Sequence, residues 1–419
     1  MGSLKQIFFS AALRTILSTV LLILFAVPAH SQFFQFETKR KRLLIPVKQV
    51  KNLLIIPIYI NQKGPFNFIL DSGVGIAVIT DSKLIDSVHI ENVRSVAITG
   101  FGAGKDLSAY IAPQVEFSLI PTVKANIPTA ILKSDALDLS GFTGMPIHGL
   151  IGYEFFSSFL VRINYSSGSV IVYPKDTHYI MKKGYRIPIT VEENKPYLTT
   201  ELSLKPGTKT KVKLIIDTGA GHPLSMETNK GIPFEVPQKK IHANLGVGLS
   251  GKIDGYIARV SALRIGKFVL KDVLTSFPDY DHVGAKIRSF NRNGNIGNGV
   301  LKKFDIVFDY NRESLYIRPN GNYKEPFEHD MSGLEFISAG ENYKQIIITR
   351  VEPGSAGAEA GLQEGDEILS INLKSVADMS IDEIDSLFKS QNERSFLILI
   401  RRKGINNQIR VILELKKRI

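Results

Sequence analysis

Short apolar segments alternate with turn residues along most of the chain. Runs rich in Val, Ile, Leu, Phe and Tyr are broken by Gly, Asn and Pro, and clear examples lie at residues 53–60, 169–173, 211–216 and 315–317. Short runs of β-branched and aromatic residues between turn residues are typical of strands rather than of helices. The pattern therefore predicts a mainly β chain.

The pattern also occurs twice. Residues 68–75 read Phe-Ile-Leu-Asp-Ser-Gly-Val-Gly, and residues 214–221 read Leu-Ile-Ile-Asp-Thr-Gly-Ala-Gly. Three further pairs of segments keep the same spacing to within one residue: 110–112 with 256–258, 149–152 with 294–297, and 159–165 with 304–310. Because a fixed period indicates a repeated structural unit, we predict two similar lobes, at residues 32–180 and 181–320.

A third pattern begins near residue 321, and we predict a separate domain at residues 321–419. Strands are expected at 346–349, 396–400 and 409–415, with a short helix at 358–362. In a second helix, residues 380–389, the apolar positions Ile381, Ile384, Leu387 and Phe388 have helical spacing. Strands and helices are mixed here, which predicts a small α+β domain.

The N-terminus has the pattern of a secretory signal. Lys5 and Arg14 are followed by a mostly apolar run at 16–27 and by small residues at 29–31. This run is shorter than the roughly 20 residues needed to span a bilayer, so we expect residues 1–31 to be removed and no stable membrane span to remain. An uncleaved anchor is the alternative. Export of a chain without cysteine favours the bacterial periplasm or cell envelope.

Composition excludes several classes of chemistry. The 419 residues include no cysteine, which excludes disulfides, thiolate metal sites and a cysteine nucleophile. The eight histidines are scattered, so we expect no metal and no cofactor; His222, near Asp217, is expected to face solvent. The net charge is +12, but its two basic runs, 39–42 and 416–418, lie in the tails. We therefore expect no nucleic-acid partner, although polyanion binding through the tails remains an alternative.

The two Asp-Ser/Thr-Gly segments, each followed by a later apolar-Gly segment, resemble those of the aspartic peptidases of the retropepsin and pepsin group. Leu334, Glu335 and Phe336, in the sequence Gly-Leu-Glu-Phe, resemble the carboxylate-binding loop of a PDZ domain. Together the segments resemble exported bacterial aspartyl proteases with a trailing PDZ domain. The resemblance implies a bilobal acid-protease fold followed by a small PDZ domain.

The resemblance implies an aspartic endopeptidase whose catalytic pair is Asp71 and Asp217. Two carboxyl groups held together share one proton, so the pair can both accept a proton from water and donate one to the substrate. By the same resemblance, the hydroxyls of Ser72 and Thr218 brace the two loops. Gly73 and Gly219 allow close backbone approach at the lobe junction. The partners implied are a peptide or unfolded protein substrate and a C-terminal peptide at the PDZ loop.

Two residues depart from the family pattern. Val74 stands where a small residue is usual, and Asn295 replaces an expected apolar residue, which would place an amide near packed core. These departures favour the alternative of a catalytically inactive peptide-binding or assembly protein on the same scaffold. The glycine-rich segments 100–104 and 246–251 are expected to close over a bound peptide. Because one chain supplies both aspartates, we expect a monomer.

Overall fold

The computed structural model describes residues 33–36, 39–98, 107–229, 231–248, 251–280 and 291–419. The predicted signal segment and the glycine-rich segment 100–104 lie outside the described residues, as do residues 249 and 250 of the second glycine-rich segment. The protein is mainly β, with 51% strand and 12% helix, as predicted. Within the residues that the structure describes, no helix combines the length and apolar character needed to cross a membrane.

The first half of the protease region forms a twisted sheet and part of a second one. Its strands are β1 (Gln35–Phe36), β2 (Leu43–Pro46), β3 (Lys48–Val50), β4 (Leu53–Ile60), β5 (Lys63–Leu70), β6 (Ala77–Ile79), β7 (Arg94–Ile98), β8 (Leu107–Ile120), β9 (Val123–Leu132), β10 (Gly149–Ile151), β11 (Phe159–Asn164) and β12 (Ser169–Pro174). Its helices are α1 (Leu84–Ser87), α2 (Leu139–Thr143) and α3 (Tyr153–Ser158).

The second half repeats this arrangement. Its strands are β13 (Tyr185–Pro188), β14 (Thr190–Glu192), β15 (Lys195–Ser203), β16 (Thr210–Ile216), β17 (Leu224–Met226), β18 (Thr228–Asn229), β19 (Ile232–Pro233), β20 (Lys240–Gly248), β21 (Gly251–Ile265), β22 (Phe268–Pro278), β23 (Gly294–Ile296), β24 (Phe304–Asp309) and β25 (Ser314–Pro319), and its helix is α4 (Asn298–Leu301).

One parallel pairing in each half positions the repeated aspartate segment. Strand β10 pairs in parallel with β5, which ends at Leu70, and β23 pairs in parallel with β16, which ends at Ile216. The paired ends of β5 and β16, residues 68–70 and 214–216, are buried, which matches their continuous apolar sequence. Asp71 and Asp217 therefore occupy equivalent positions, each directly after the buried end of its strand.

A six-stranded sheet joins the two halves, in the order β13-β25-β24-β11-β12-β2. Its central strands, β11 and β24, are antiparallel and pair Val161 with Phe308. The ring of Phe156 lies 4.9 Å from that of Phe308 and 5.5 Å from that of Tyr310. Buried residues of both halves form one continuous apolar cluster. The two lobes are thus packed as one body through a shared sheet and core.

The C-terminal domain has its own sheet and core. Its strands are β26 (Leu334–Ala339), β27 (Gln345–Val351), β28 (Glu367–Ile371), β29 (Lys374–Ser375), β30 (Ser395–Arg401) and β31 (Ile409–Glu414), and its helices are α5 (Ala356–Glu359) and α6 (Ile381–Phe388). Helix α6 begins with a capping box between Ser380 and Glu383. Its residues Ile381, Ile384 and Phe388 are buried in the domain core.

The helix predicted at 358–362 lies earlier than expected. Helix α5 begins at Ala356, because the Ser355 hydroxyl accepts a hydrogen bond from the N–H of Ala358 and so caps its first turn. It ends before Gly361, whose φ of 78° is incompatible with continued helix. The start of this helix is therefore determined by the Ser355 cap and its end by Gly361.

Candidate active site

The two aspartate loops are fixed first by their own lobes. The backbone N–H of Asp71 donates to the carbonyl of Ile151 at 2.9 Å, and that of Asp217 donates to the carbonyl of Ile296 at the same distance. These bonds extend the parallel β5–β10 and β16–β23 pairings by one residue. Each aspartate therefore begins its loop from a buried, rigid strand end.

The hydroxyls of Ser72 and Thr218 then cross the lobe junction. The Ser72 N–H donates to Thr218 Oγ1 at 2.9 Å, and the Thr218 N–H donates to Ser72 Oγ at 3.0 Å. Each hydroxyl in turn donates to a carbonyl of the opposite lobe, Ser72 to Ile216 at 2.6 Å and Thr218 to Leu70 at 2.7 Å. Both side chains are fully buried. The four bonds form a reciprocal clamp between the two loops.

Gly73 and Gly219 leave room for the opposite carboxyl group. A β-carbon at Gly219 would lie 2.1 Å from Asp71 Cγ, and one at Gly73 would lie 2.9 Å from Asp217 Cγ. The same glycines donate their N–H groups to the aspartate of their own loop, at 2.7 Å to Asp71 Oδ1 and 2.9 Å to Asp217 Oδ1. Any side chain at either position would displace a carboxyl group.

The Asp71 carboxyl group lies beside Gly219 and the Asp217 carboxyl group beside Gly73, so each faces the loop of the opposite lobe. Asp71 is only 7% exposed. Its burial, and then the adjacent charge of Asp217, raise the pKa of Asp71 well above its usual range, while the Gly73 N–H and the positive charge of Lys195 oppose this rise. Like charges held close together oppose each other's ionisation.

Asn295 is bonded to the pair rather than buried in apolar core as its sequence position suggested. Its amide N–H donates to Asp217 Oδ2 at 3.2 Å, and its Oδ1 lies 2.7 Å from His222 Nε2. Because Asn295 Oδ1 can only accept, His222 Nε2 is the donor and fixes which way the amide points. The expectation that His222 faces solvent is therefore wrong: it is half-buried and bonded to Asn295.

The Asn295→Leu variant tests this contact, since Leu150 is the matching residue of the first lobe. An N–H donor favours the charged form of a carboxylate, so its loss should move the acid limb of the pH–rate profile upward by roughly 0.5–1 pH unit. The measurement is kcat/KM for peptide cleavage from pH 3 to pH 8. Leu150→Asn, which places an amide at the other lobe's equivalent position, is the matched comparison. An unmoved acid limb in Asn295→Leu would contradict the assigned role.

Val74 packs closely against Gly152, as Ala220 does against Gly297 in the second lobe. A β-carbon at Gly152 would lie 2.6 Å from the Val74 carbonyl oxygen and 2.7 Å from Val74 Cγ2. The Val74 carbonyl also accepts a hydrogen bond from the N–H of Tyr153 at 3.2 Å. The valine side chain therefore packs against a glycine beside the loop.

Three charged residues near the pair carry no sequence signal that would have identified them. Lys195 has its pKa lowered by burial and by Arg292, an effect that Glu193 and both aspartates oppose. Arg292 forms a buried ion pair with Glu227 at 2.9 Å, and burial raises the pKa of Glu227. These residues belong to no motif, and their proximity depends wholly on the fold of the second lobe.

The predicted carboxylate-binding loop faces the protease lobes. Leu334 and Phe336 are 6% and 7% exposed, and the Glu335 carboxylate accepts a hydrogen bond from Asn244 Nδ2 of β20 at 2.8 Å. Burial raises the pKa of Glu335 above its usual range. Among the described residues there is no group of acidic or histidine side chains that could hold a metal ion.

Comparisons with known proteins identify two regions of the chain. An aspartyl protease family model matches residues 56–155, and a PDZ domain model matches residues 347–402. No curated protein matches the chain.

Two of the solved structures that match cover small parts of the chain. The photosystem II D1 C-terminal processing protease is 21% identical over 21% of this chain and 23% of its own length, with a TM-score of 0.20. The HtrA3 PDZ domain bound to a phage-derived ligand is 17% identical over 20% of this chain and 84% of its own length, with a TM-score of 0.18. The chain thus spans about a quarter of the length of the first of these structures. From the family models, the protein contains an aspartyl protease domain followed by a C-terminal PDZ domain.

Proposed function

We propose that the protein is an aspartic endopeptidase that hydrolyses peptide bonds with a water molecule activated by Asp71 and Asp217. The observation that carries the proposal is the placement of Asp71 and Asp217 on two loops joined by Ser72 and Thr218, where burial and Asp217 raise the pKa of Asp71. A pair that holds one proton contains a base and an acid at the same place. Two intact aspartates in this arrangement favour catalysis over a purely binding role.

The reaction follows from the shared proton. The ionised carboxylate takes a proton from water, the water oxygen bonds to the peptide carbonyl carbon, and the protonated carboxyl gives its proton to the carbonyl oxygen. The tetrahedral intermediate then breaks its C–N bond as the nitrogen receives a proton from the pair. As the C–N bond breaks, one hydroxyl group of the intermediate gives its proton to the pair, which leaves a carboxylic acid and restores the single proton of the pair. Neither aspartate is assigned as acid or base alone, because the proton belongs to the pair.

Substrate and setting form part of the same proposal. A site between two lobes suits an extended or unfolded polypeptide, because a folded chain presents few accessible strands. The N-terminal signal pattern supports export to the bacterial periplasm or cell envelope. One chain supplies both Asp71 and Asp217, so a monomer is sufficient for activity. The PDZ domain would contribute by binding the C-terminal residues of a peptide.

Purified protein tests the proposal against a mixture of unfolded proteins from pH 3 to pH 8. We expect cleavage at acidic pH that a pepstatin-type inhibitor blocks. In the Asp217→Asn variant we expect a loss of at least about 100-fold, because general acid–base catalysis is removed. Circular dichroism establishes that the variant is folded. Equal cleavage by both proteins would indicate a contaminant or another site, and peptide binding without cleavage by either would indicate a binding protein.

A further inference from the structure

The PDZ domain contains a groove between strand β26 and helix α6. Among the described residues, β26 pairs with β27 on one side only, so its other edge is available to a further strand. Phe336 of β26 and Phe388 of α6 form the floor, with ring centroids 5.9 Å apart. An extended peptide can add to such an edge and place alternate side chains in the groove.

A turn of the first lobe enters this groove. Gly144, which follows helix α2, lies between the two walls: a β-carbon there would be 2.9 Å from Ser338 Oγ on β26 and 3.6 Å from Ile381 Cβ on α6. Ser338 and Ile381 are 3% and 4% exposed. The turn at Gly144 therefore packs against both walls of the groove.

Lys51, at the turn between β3 and β4, spans the same groove. Its backbone N–H donates to Asp382 Oδ1 at 2.8 Å, and its Nζ lies 3.3 Å from Asp385 Oδ1, both on α6. The Nζ also lies 4.7 Å from the centre of the Phe336 ring on β26. The lysine side chain is only 12% exposed. One cation therefore contacts both walls of the groove.

We infer that Gly144 and Lys51 act as an internal ligand of the PDZ groove, so that a peptide with a free C-terminal carboxylate binds only when the PDZ domain separates from the protease lobes. The apparent affinity for such a peptide equals the intrinsic affinity multiplied by the separated fraction. If about one molecule in 100 is separated, the peptide binds about 100-fold more weakly than it would to an open groove.

The docked PDZ domain also restrains the second lobe. Glu335 bonds Asn244 of β20 at 2.8 Å, and Arg350 bonds Asp254 of β21 at 3.2 Å. Asn244 and Asp254 are paired across the β20–β21 hairpin, whose tip contains the glycine-rich segment 246–251. The PDZ domain thus holds both strands of this hairpin.

A second contact reaches the loop of Asp217. Beside Lys51, Asn52 Nδ2 donates to the Gly221 carbonyl at 2.9 Å, four residues beyond that aspartate. Separation of the PDZ domain would release the hairpin and alter the support of this loop. Since this hairpin carries the second glycine-rich segment, which the sequence predicts to close over a bound peptide, we expect peptide binding to increase cleavage. The expected increase in cleavage rests on the proposed function, whereas the occupation of the groove by Gly144 and Lys51 does not.

Peptide binding to the full protein carrying Asp217→Asn tests the inference without cleavage. The probes are fluorescent decapeptides of mixed sequence ending in Val, Leu or Phe, each with a free C-terminal carboxylate or as the amide. In the Lys51→Ala/Arg350→Ala form, which removes a contact to each lobe, we expect at least about 10-fold tighter binding of the carboxylate peptides. The peptides with a C-terminal amide should bind weakly to every form of the protein.

The matched control is Lys48→Ala/Arg401→Ala. Lys48 is exposed on β3, and Arg401 pairs with Glu367 inside the PDZ sheet, so this form should bind like the parent. Asp385→Asn/Asp254→Asn alters the same two ion pairs from the opposite side and should match the first variant if that one unfolds. Equal affinity in the parent and in both released forms would overturn the inference, as would no binding by a released form that X-ray scattering shows to be extended.

Cleavage is then measured in forms of the protein that carry Asp217 again. Faster cleavage by the Lys51→Ala/Arg350→Ala form than by the control form supports the coupling of the groove to the site. Tighter peptide binding without any cleavage would reject the proposed function and leave the internal ligand supported. Cleavage without a change in peptide binding would support the proposed function and reject the internal ligand.

Discussion

The Asp71→Asn variant should lose peptide cleavage by at least about 100-fold and yet unfold at a higher temperature than the parent at pH 7. The folded protein holds Asp71 in a buried position beside Asp217, which raises its pKa well above the unfolded value. A raised carboxyl pKa destabilises the folded state once pH exceeds the unfolded value, because only the unfolded chain then releases the proton freely. Asparagine keeps the shape and removes this cost.

The size and pH dependence of this effect are testable by thermal unfolding. Relief of about 1–2 kcal/mol should raise the Tm at pH 7 by roughly 2–8 °C for a unit of this size. The difference should vanish near pH 3, where Asp71 is protonated in both states. Asp86→Asn, at an exposed position of the same lobe, should change neither the Tm nor cleavage. A lower Tm for Asp71→Asn at pH 7 would contradict the assigned electrostatics.

The Thr218→Val variant should lose about 2–4 kcal/mol of the free energy of unfolding. The valine is close in shape but removes the hydroxyl that accepts from the Ser72 N–H and donates to the Leu70 carbonyl. Both groups are buried at the lobe junction, and each then lacks its partner. Chemical denaturation measures the loss, and Thr218→Ser, which keeps the oxygen, should recover most of it.

Thr275→Val is the matched control for this substitution. Thr275 is equally buried in the same lobe, but its hydroxyl bonds only the nearby Val273 carbonyl, at 2.9 Å. One carbonyl loses one partner, so the expected loss is about 1–2 kcal/mol. If Thr218→Val cost no more than Thr275→Val, the clamp between the lobes would not contribute to stability as its geometry implies.

The repeat in the sequence allowed the most complete prediction of strands and site residues. The apolar run at 53–60 coincides with β4, and the run at 211–216 lies within β16. Strand prediction succeeds here because both runs are short, rich in Ile and Leu, and bounded by turn residues. The repeat also selected Asp71 and Asp217 from the 40 acidic residues, and the structure places the carboxyl group of each beside the loop of the other.

Contacts between distant segments could not be predicted from the sequence in the same way. Asn295 was noticed as a departure from an apolar pattern, but its bond to Asp217 depends on the parallel pairing of β23 with β16. The placement of Gly144 against Ser338 joins two domains through residues that share no motif. Such contacts arise from packing of whole elements, and local periodicity carries no information about them.

The most direct test of a shared proton is cleavage by four proteins measured side by side: the parent, Asp71→Asn, Asp217→Asn and the double variant. Carboxyl groups that act as one unit give non-additive losses, so each single variant should lose as much kcat as the double variant. All three should retain the same small residual rate. A single variant that keeps substantial cleavage, or losses that multiply in the double variant, would contradict catalysis by an Asp71–Asp217 pair.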